Sequence, residues 1–321
     1  MQYQIVLLFI IAVLNSLFSY FILQGEKNKT NILFSLVALS VSLWSINVAF
    51  FIKTSNLDSA LLFANAYYVS AAAIPLLFFY FSLFFPERTA QSWTKRTYLY
   101  LIPFFLIIVA MILDKNVILE KVFLRENIKD VVINKGAYLL YGGYFIFFVA
   151  LSYYRLAKTY VTSSEQVERV QIRFVVFGTA IAYILGMTFN LFLPYLGNYQ
   201  EIWLGPFFTL IMIFSLGYAI LKHHLFNIKV ITTELLTFAL WFFILVRTLI
   251  AETLQDQLIN GGLLFATIVL GIFLIRSVIK EVETREKIEL LANDLEKANE
   301  RLKILDQQKS EFVSIASHQL R

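Results

Sequence analysis

The chain returns repeatedly to runs of about 20 apolar residues, the length a helix needs to cross a bilayer core about 30 Å thick. Nine such runs fall at roughly 3–23, 31–52, 60–85, 97–113, 137–154, 174–196, 202–221, 231–250 and 259–275. Lipid gives the backbone no hydrogen-bond partners, so only helices and closed barrels can span it. Runs this long read as helices. The expected fold is therefore all-α, a polytopic transmembrane bundle of about nine spans. Hydrophobic residues make up 59% of the 321, above the roughly 45–50% of a soluble domain. The first run has no basic start and no small-residue cleavage site, so it reads as a retained span and not as a signal peptide. The third is long and carries Pro75, so it is expected to tilt or kink.

Charge sets an expected orientation. Lysine and arginine favour cytoplasmic loops. With the N-terminus outside, the inner loops hold 11 basic residues: Lys27, Lys29, Arg88, Lys95, Arg96, Arg155, Lys158, Arg169, Arg173, Lys222 and Lys229. The outer loops hold six, namely Lys53 and five in the 114–136 loop. Up to Ile275 there are 18 Lys/Arg against 13 Asp/Glu, while the remainder holds nine of each. The basic surplus thus belongs to the membrane part and serves as an orientation signal. It does not form a nucleic-acid patch, and no nucleic-acid partner is expected.

Cysteine is absent and histidine occurs three times, at His223, His224 and His318. Thiolate metal sites and cysteine nucleophiles are excluded, and no metal site is expected. His223 and His224 follow Lys222 and read as an interfacial basic cluster at a helix C-terminus. The polar residues within the spans include Asn15, Asn47, Tyr67, Tyr68 and Asn190. Such residues commonly hydrogen-bond neighbouring helices. Asn47, Tyr67, Tyr68 and Asn190 are also candidates to line a ligand pocket between helices. Arg247, in the outer half of the eighth run, can snorkel to the interface, pair with Glu252 or meet an anionic ligand. The stretch Asn28-Lys-Thr matches a glycosylation sequon but falls on the expected cytoplasmic side, where the match means nothing.

Beyond Arg276 the composition changes abruptly, and no Gly or Pro occurs down to Arg321. Leu291, Leu295, Ala298, Leu302 and Leu305 alternate in spacings of four and three, and Phe312 and Ile315 continue the phase with Lys309 as a polar interruption. That is a coiled-coil seam. The last span is expected to run on as one helix, paired in parallel with a second copy of the chain. His318 falls three residues after Ile315, beside the seam. A neutral imidazole there is a competent nucleophile, since unperturbed histidine titrates at about pH 6.5.

The run LDQQKSEFVSIASHQLR, Leu305–Arg321, resembles the start of the dimerisation and phosphoacceptor helix of bacterial sensor histidine kinases. The seven-span part ending in YAILKHHLFNI, Tyr218–Ile228, is similar to the seven-helix sensor region at the N-terminus of some of these kinases. The resemblance implies that His318 accepts a phosphoryl group from ATP, with Mg2+, and passes it to an aspartate of a cytoplasmic response regulator. It implies a homodimer in the bacterial inner membrane that answers a ligand in or near the membrane. It places Gln319 where many members carry an acidic residue that takes the imidazole proton. A glutamine amide can orient the ring but cannot take that proton.

The implied organisation is a sensor region over 1–229, two further spans over 230–276, a coiled-coil signalling helix over 277–309, and the start of the phosphoacceptor domain over 310–321. The family continues into an ATP-binding domain, and the 321 residues contain neither that pattern nor a Walker-type loop. A fragment of a longer kinase is expected, inactive alone. The competing reading is a non-enzymatic receptor or transporter with a coiled-coil oligomerisation tail.

Overall fold

The computed structural model describes residues 2–24, 28–86, 95–125, 128–223 and 253–319, with scattered residues between 237 and 251. It is mostly helical and divides into two units, Met1–Val230 and Ile231–Arg321.

The first unit is built from long apolar helices: α1 (Gln2–Gln24), α2 (Lys29–Lys53), α3 (Leu57–Phe84), α6 (Lys135–Thr162), α7 (Gln166–Met187) and α9 (Leu204–His223). Asparagine starts three of them. The side chains of Asn28, Asn56 and Asn134 each accept from the backbone N–H three residues on, satisfying one of the orphan donors of a helix start. The Asn28 of the sequon match is thus an N-cap.

Successive contacts run α1–α2, α2–α3, α3–α6, α6–α7, α7–α9 and α9–α1, so six helices close into a ring. Hydroxyl pairs tie neighbours together. Ser16 bonds Ser42 at 2.8 Å and Ser19 bonds Ser35 at 2.7 Å between α1 and α2. In lipid, where apolar contact gives no preference for protein over solvent, such bonds and close packing hold helices together. At Gly178 on α7 an added Cβ would come within 2.8 Å of Ser215 Cβ on α9, so this glycine sets how closely the two helices approach. α3 runs unbroken through Pro75.

The run expected at 97–113 is divided. The short α4 (Lys95–Leu99) ends before α5 (Ile102–Leu113), with Pro103 in the first turn of α5. Pro103 has no N–H for the Leu99 carbonyl, which ends the first piece there. α5 lies against α3. The 114–136 stretch, read from sequence as a plain loop, contains an antiparallel hairpin of β1 (Leu119–Arg125) and β2 (Ile128–Ile133), with Val122 opposite Val131. Leu119 and Val131 are buried in the main core.

Among the described residues six helices are long and apolar enough to span a membrane, while the divided α4–α5 stretch Thr97–Leu113 and the Leu204–Leu216 part of α9 are shorter apolar stretches. The run expected at 231–250 falls mainly outside the described residues. The chain is a multi-pass membrane protein.

The second unit is dominated by α10 (Leu254–Gln319), a helix of 66 residues, about 100 Å long at 1.5 Å per residue. Its first part is the apolar segment Gln255–Val278. Trp241 Nε1 donates to the Thr267 carbonyl at 2.9 Å. A Cβ at Gly271 would strike Trp241 and Thr237, so the two segments meet closely there. Ile288, Leu291, Leu295 and Leu302 are all exposed in the single copy.

Candidate functional site

The helices of the ring line a partly open cavity of about 60 Å³. Its position follows from which residues face inward on each helix. α2 contributes Val37, Val41 and Trp44, and α3 contributes Tyr67, Tyr68, Ala71 and Ile74. These recur at three- and four-residue intervals, which is one face of a helix. Tyr141 and Phe145 enter from α6, Thr179, Ala182, Tyr183 and Gly186 from α7, and Thr209 and Met212 from α9. Among the described residues no charged side chain lines the cavity.

The tyrosines form a connected group. Tyr67 and Tyr68 rings lie 4.4 Å apart, and Tyr68 meets Tyr141 edge-on at 5.3 Å. Tyr141 Oη donates to the Tyr68 carbonyl at 2.9 Å, and one turn further Tyr144 Oη donates to the Ala72 carbonyl at 2.9 Å. These bonds fix α6 against α3 along the cavity wall.

Asn190 reaches the wall through a local defect in the helix. α7 ends at Met187 and passes into a π-helical turn, Thr188–Phe192, before a short α8 (Leu193–Tyr195). Pro194 has no N–H to give the Asn190 carbonyl, the partner a regular α-helix would require. The Tyr138 hydroxyl from α6 takes that place, donating to Asn190 O at 2.8 Å and lying 3.4 Å from Leu191 O. The wider turn re-aims the side chain, as π-bulges do at many functional sites. The Asn190 amide lines the cavity and rests against Gly205, where a Cβ would collide with it.

Two polar atoms at the cavity are buried without a hydrogen-bond partner among the described residues: Tyr183 Oη and Asn190 Nδ2. Beside them Asn15 Nδ2 bonds Thr209 Oγ1 at 3.3 Å, and Tyr153 Oη donates to Thr179 Oγ1 at 2.9 Å. Above this level, in the α8–α9 connection, Tyr199 is buried and its hydroxyl also lacks a partner among the described residues. Burial pushes the Tyr199 hydroxyl well above its usual range, with Asp130 of the hairpin adding in the same direction.

Of the residues singled out from sequence, Tyr67, Tyr68 and Asn190 come together at this cavity. Asn47 does not. Its amide donates to the Leu43 carbonyl at 2.8 Å and to Ser70 Oγ at 3.4 Å, a tie between α2 and α3. Arg247 is exposed and belongs to the second unit. His318 and Gln319 lie in the last turn of α10, and their side chains fall outside the described residues. Trp44, Tyr141, Tyr183 and Thr209 were missed. The recurrence of Tyr138, Tyr141 and Tyr144 every third residue was a signal, as was the placing of Asn190 four residues before Pro194.

Over residues 7–229 the sequence matches the family described as the N-terminal 7TM region of histidine kinase. The chain belongs to this family. A comparison with curated proteins finds no match. The matched span of the histidine-kinase sensor region begins inside α1, takes in the rest of the ring through α9, and stops before α10. The cavity therefore lies wholly within the sensor region. Among the described residues no group of three or more His, Cys, Asp or Glu could hold a metal ion.

Proposed function

We propose that the chain is the sensor and first phosphoacceptor helix of a membrane histidine kinase that feeds a two-component phosphorelay. One observation carries this reading: a seven-helix histidine-kinase sensor region is followed, in the same chain, by a helix that runs from an apolar segment to His318. A continuous rod of this kind is suited to carrying a rotation or register shift from the membrane to the phosphoacceptor.

In this reading residues 1–229 sense, 230–276 add two spans to give nine in all, 277–309 signal as a parallel coiled coil, and 310–321 open the phosphoacceptor domain. The exposed Ile288, Leu291, Leu295 and Leu302 supply the seam for a second copy. The N-terminus faces out and α10 reaches into the bacterial cytoplasm, where His318 meets a response regulator. Gln319 orients the imidazole. The 321 residues contain neither the ATP-binding pattern of these kinases nor a Walker-type loop, so in this reading a separate catalytic domain holds ATP and Mg2+.

The test supplies such a domain, in cis or in trans, with ATP and Mg2+. The His318→Ala variant is expected to insert and dimerise normally but to incorporate no phosphate. Phosphate incorporation equal to that of the parent chain would overturn the assignment.

A further inference from the structure

We infer that the cavity inside the helix ring is the recognition site for an uncharged, chiefly apolar small molecule, held through the Tyr183 hydroxyl and the Asn190 amide. The inference names the ligand class for the sensor reading above and rests on it for its regulatory meaning only. The binding itself is a property of the ring.

Three features carry it. First, the wall is aromatic and aliphatic, and among the described residues no Asp, Glu, Lys or Arg lines it. An anion brought here would lose its hydration without gaining a partner of opposite charge, and such transfers are strongly unfavourable. A carboxylate, a phosphate or an acidic peptide is therefore excluded. Aromatic faces can hold a quaternary ammonium, but the Asn190 amide N–H is a donor without a partner among the described residues and calls for an acceptor, which a neutral ligand supplies. Second, two polar atoms at this wall, Tyr183 Oη and Asn190 Nδ2, are buried without a partner among the described residues. Buried polar groups are nearly always bonded, so two at one cavity point to a bonding partner there. Each can donate a hydrogen bond, so each suits an acceptor such as a ligand carbonyl or carboxamide oxygen.

Third, the polar end of the site is built and not incidental. The π-helical turn places Asn190, Pro194 leaves its carbonyl to Tyr138, and Gly205 makes room for its amide. Each device belongs to a different segment of the ring. A ligand that bonds Asn190 and Tyr183 would touch the turn below α7, which packs directly on α9, the last helix of the sensor region.

The test uses two probes of nearly equal shape and different charge: benzamide and benzoate. The complete 321-residue chain is placed in nanodiscs, and binding is read by ligand-observed NMR against empty nanodiscs. Benzamide is expected to bind saturably, and benzoate at least about tenfold more weakly. Tyr183→Phe removes one hydroxyl with no change in packing, and Asn190→Ala removes the amide. Each is expected to weaken benzamide binding about fivefold. Ala71→Phe, which fills the cavity, is expected to abolish it.

Equal binding of benzoate would overturn the proposal. So would benzamide binding unchanged in both Tyr183→Phe and Asn190→Ala, or no benzamide binding at all, which would leave the cavity to water alone. Phosphorylation of His318 is scored separately. Loss of that activity with benzamide binding intact would strike the kinase reading and leave the site standing. The reverse result would strike only the site.

Discussion

The hydroxyl of Tyr138 replaces a backbone donor. Pro194 cannot serve the Asn190 carbonyl, and Tyr138 Oη does so at 2.8 Å. Tyr144 makes an apparently similar bond to the Ala72 carbonyl at 2.9 Å, but Leu76, four residues on, has an N–H of its own to offer there. The two tyrosines should therefore differ. Tyr138→Phe is expected to lower stability by about 1 kcal/mol, the usual scale of a lost hydrogen bond in a membrane bundle. Tyr144→Phe should have a smaller effect. Thermal unfolding of both variants in the same detergent measures the contrast, and equal midpoints would mean that Asn190 O does not depend on Tyr138.

At the scale of elements, glycine and proline decide where helices meet and where they stop. Gly178 lets α7 and α9 touch, with 2.8 Å from its would-be Cβ to Ser215 Cβ. Gly178→Val should force the helices apart and destabilise the ring by about 1–3 kcal/mol, the range for overpacking. Gly142, where an added Cβ meets nothing within 4 Å, is the control. Gly142→Ala should be neutral or slightly stabilising through helix propensity. Denaturation midpoints for the pair test this. Proline acts in two ways: Pro103 lies at the break between α4 and α5, whereas α3 carries Pro75 without interruption.

For the whole molecule, the absence of cysteine makes orientation directly measurable, because any introduced thiol is unique. Glu120 in the hairpin and Glu296 on α10 are both exposed. With the N-terminus outside, a membrane-impermeant maleimide applied to intact cells should label the Glu120→Cys variant. It should spare Glu296→Cys until the membrane is opened. The reverse pattern would invert the topology, and labelling of both in intact cells would place the two on the same side. The dimer expectation belongs to this scale as well. Replacing Leu291 and Leu295 by lysine should disrupt pairing of α10 and leave the ring folded, as size-exclusion chromatography with light scattering would report.

The sequence by itself determined the class of fold and the family. Apolar runs of bilayer length permit little besides helices, because lipid leaves the backbone to satisfy itself. The order of residues around His318, with the seven-span pattern before it, carried the resemblance. The heptad run marked a long helix, since the spacing of Leu291, Leu295, Ala298 and Leu302 is a property of the chain alone. Tertiary structure decided what lies next to what. Nothing in the one-dimensional pattern says that α9 closes back on α1, or that Asn47 ties two helices while Asn190 enters a cavity. Both are single asparagines in apolar runs. The hairpin went unread because charged residues interrupt both strands, LEKVFLR and IKDVVI, and its burial comes from residues Leu119 and Val131 meeting the bundle. The site was only partly legible for the same reason: a cavity is formed by faces of different helices, and the angle at which each face turns inward is fixed by packing, by one proline and by the glycines that let neighbours approach.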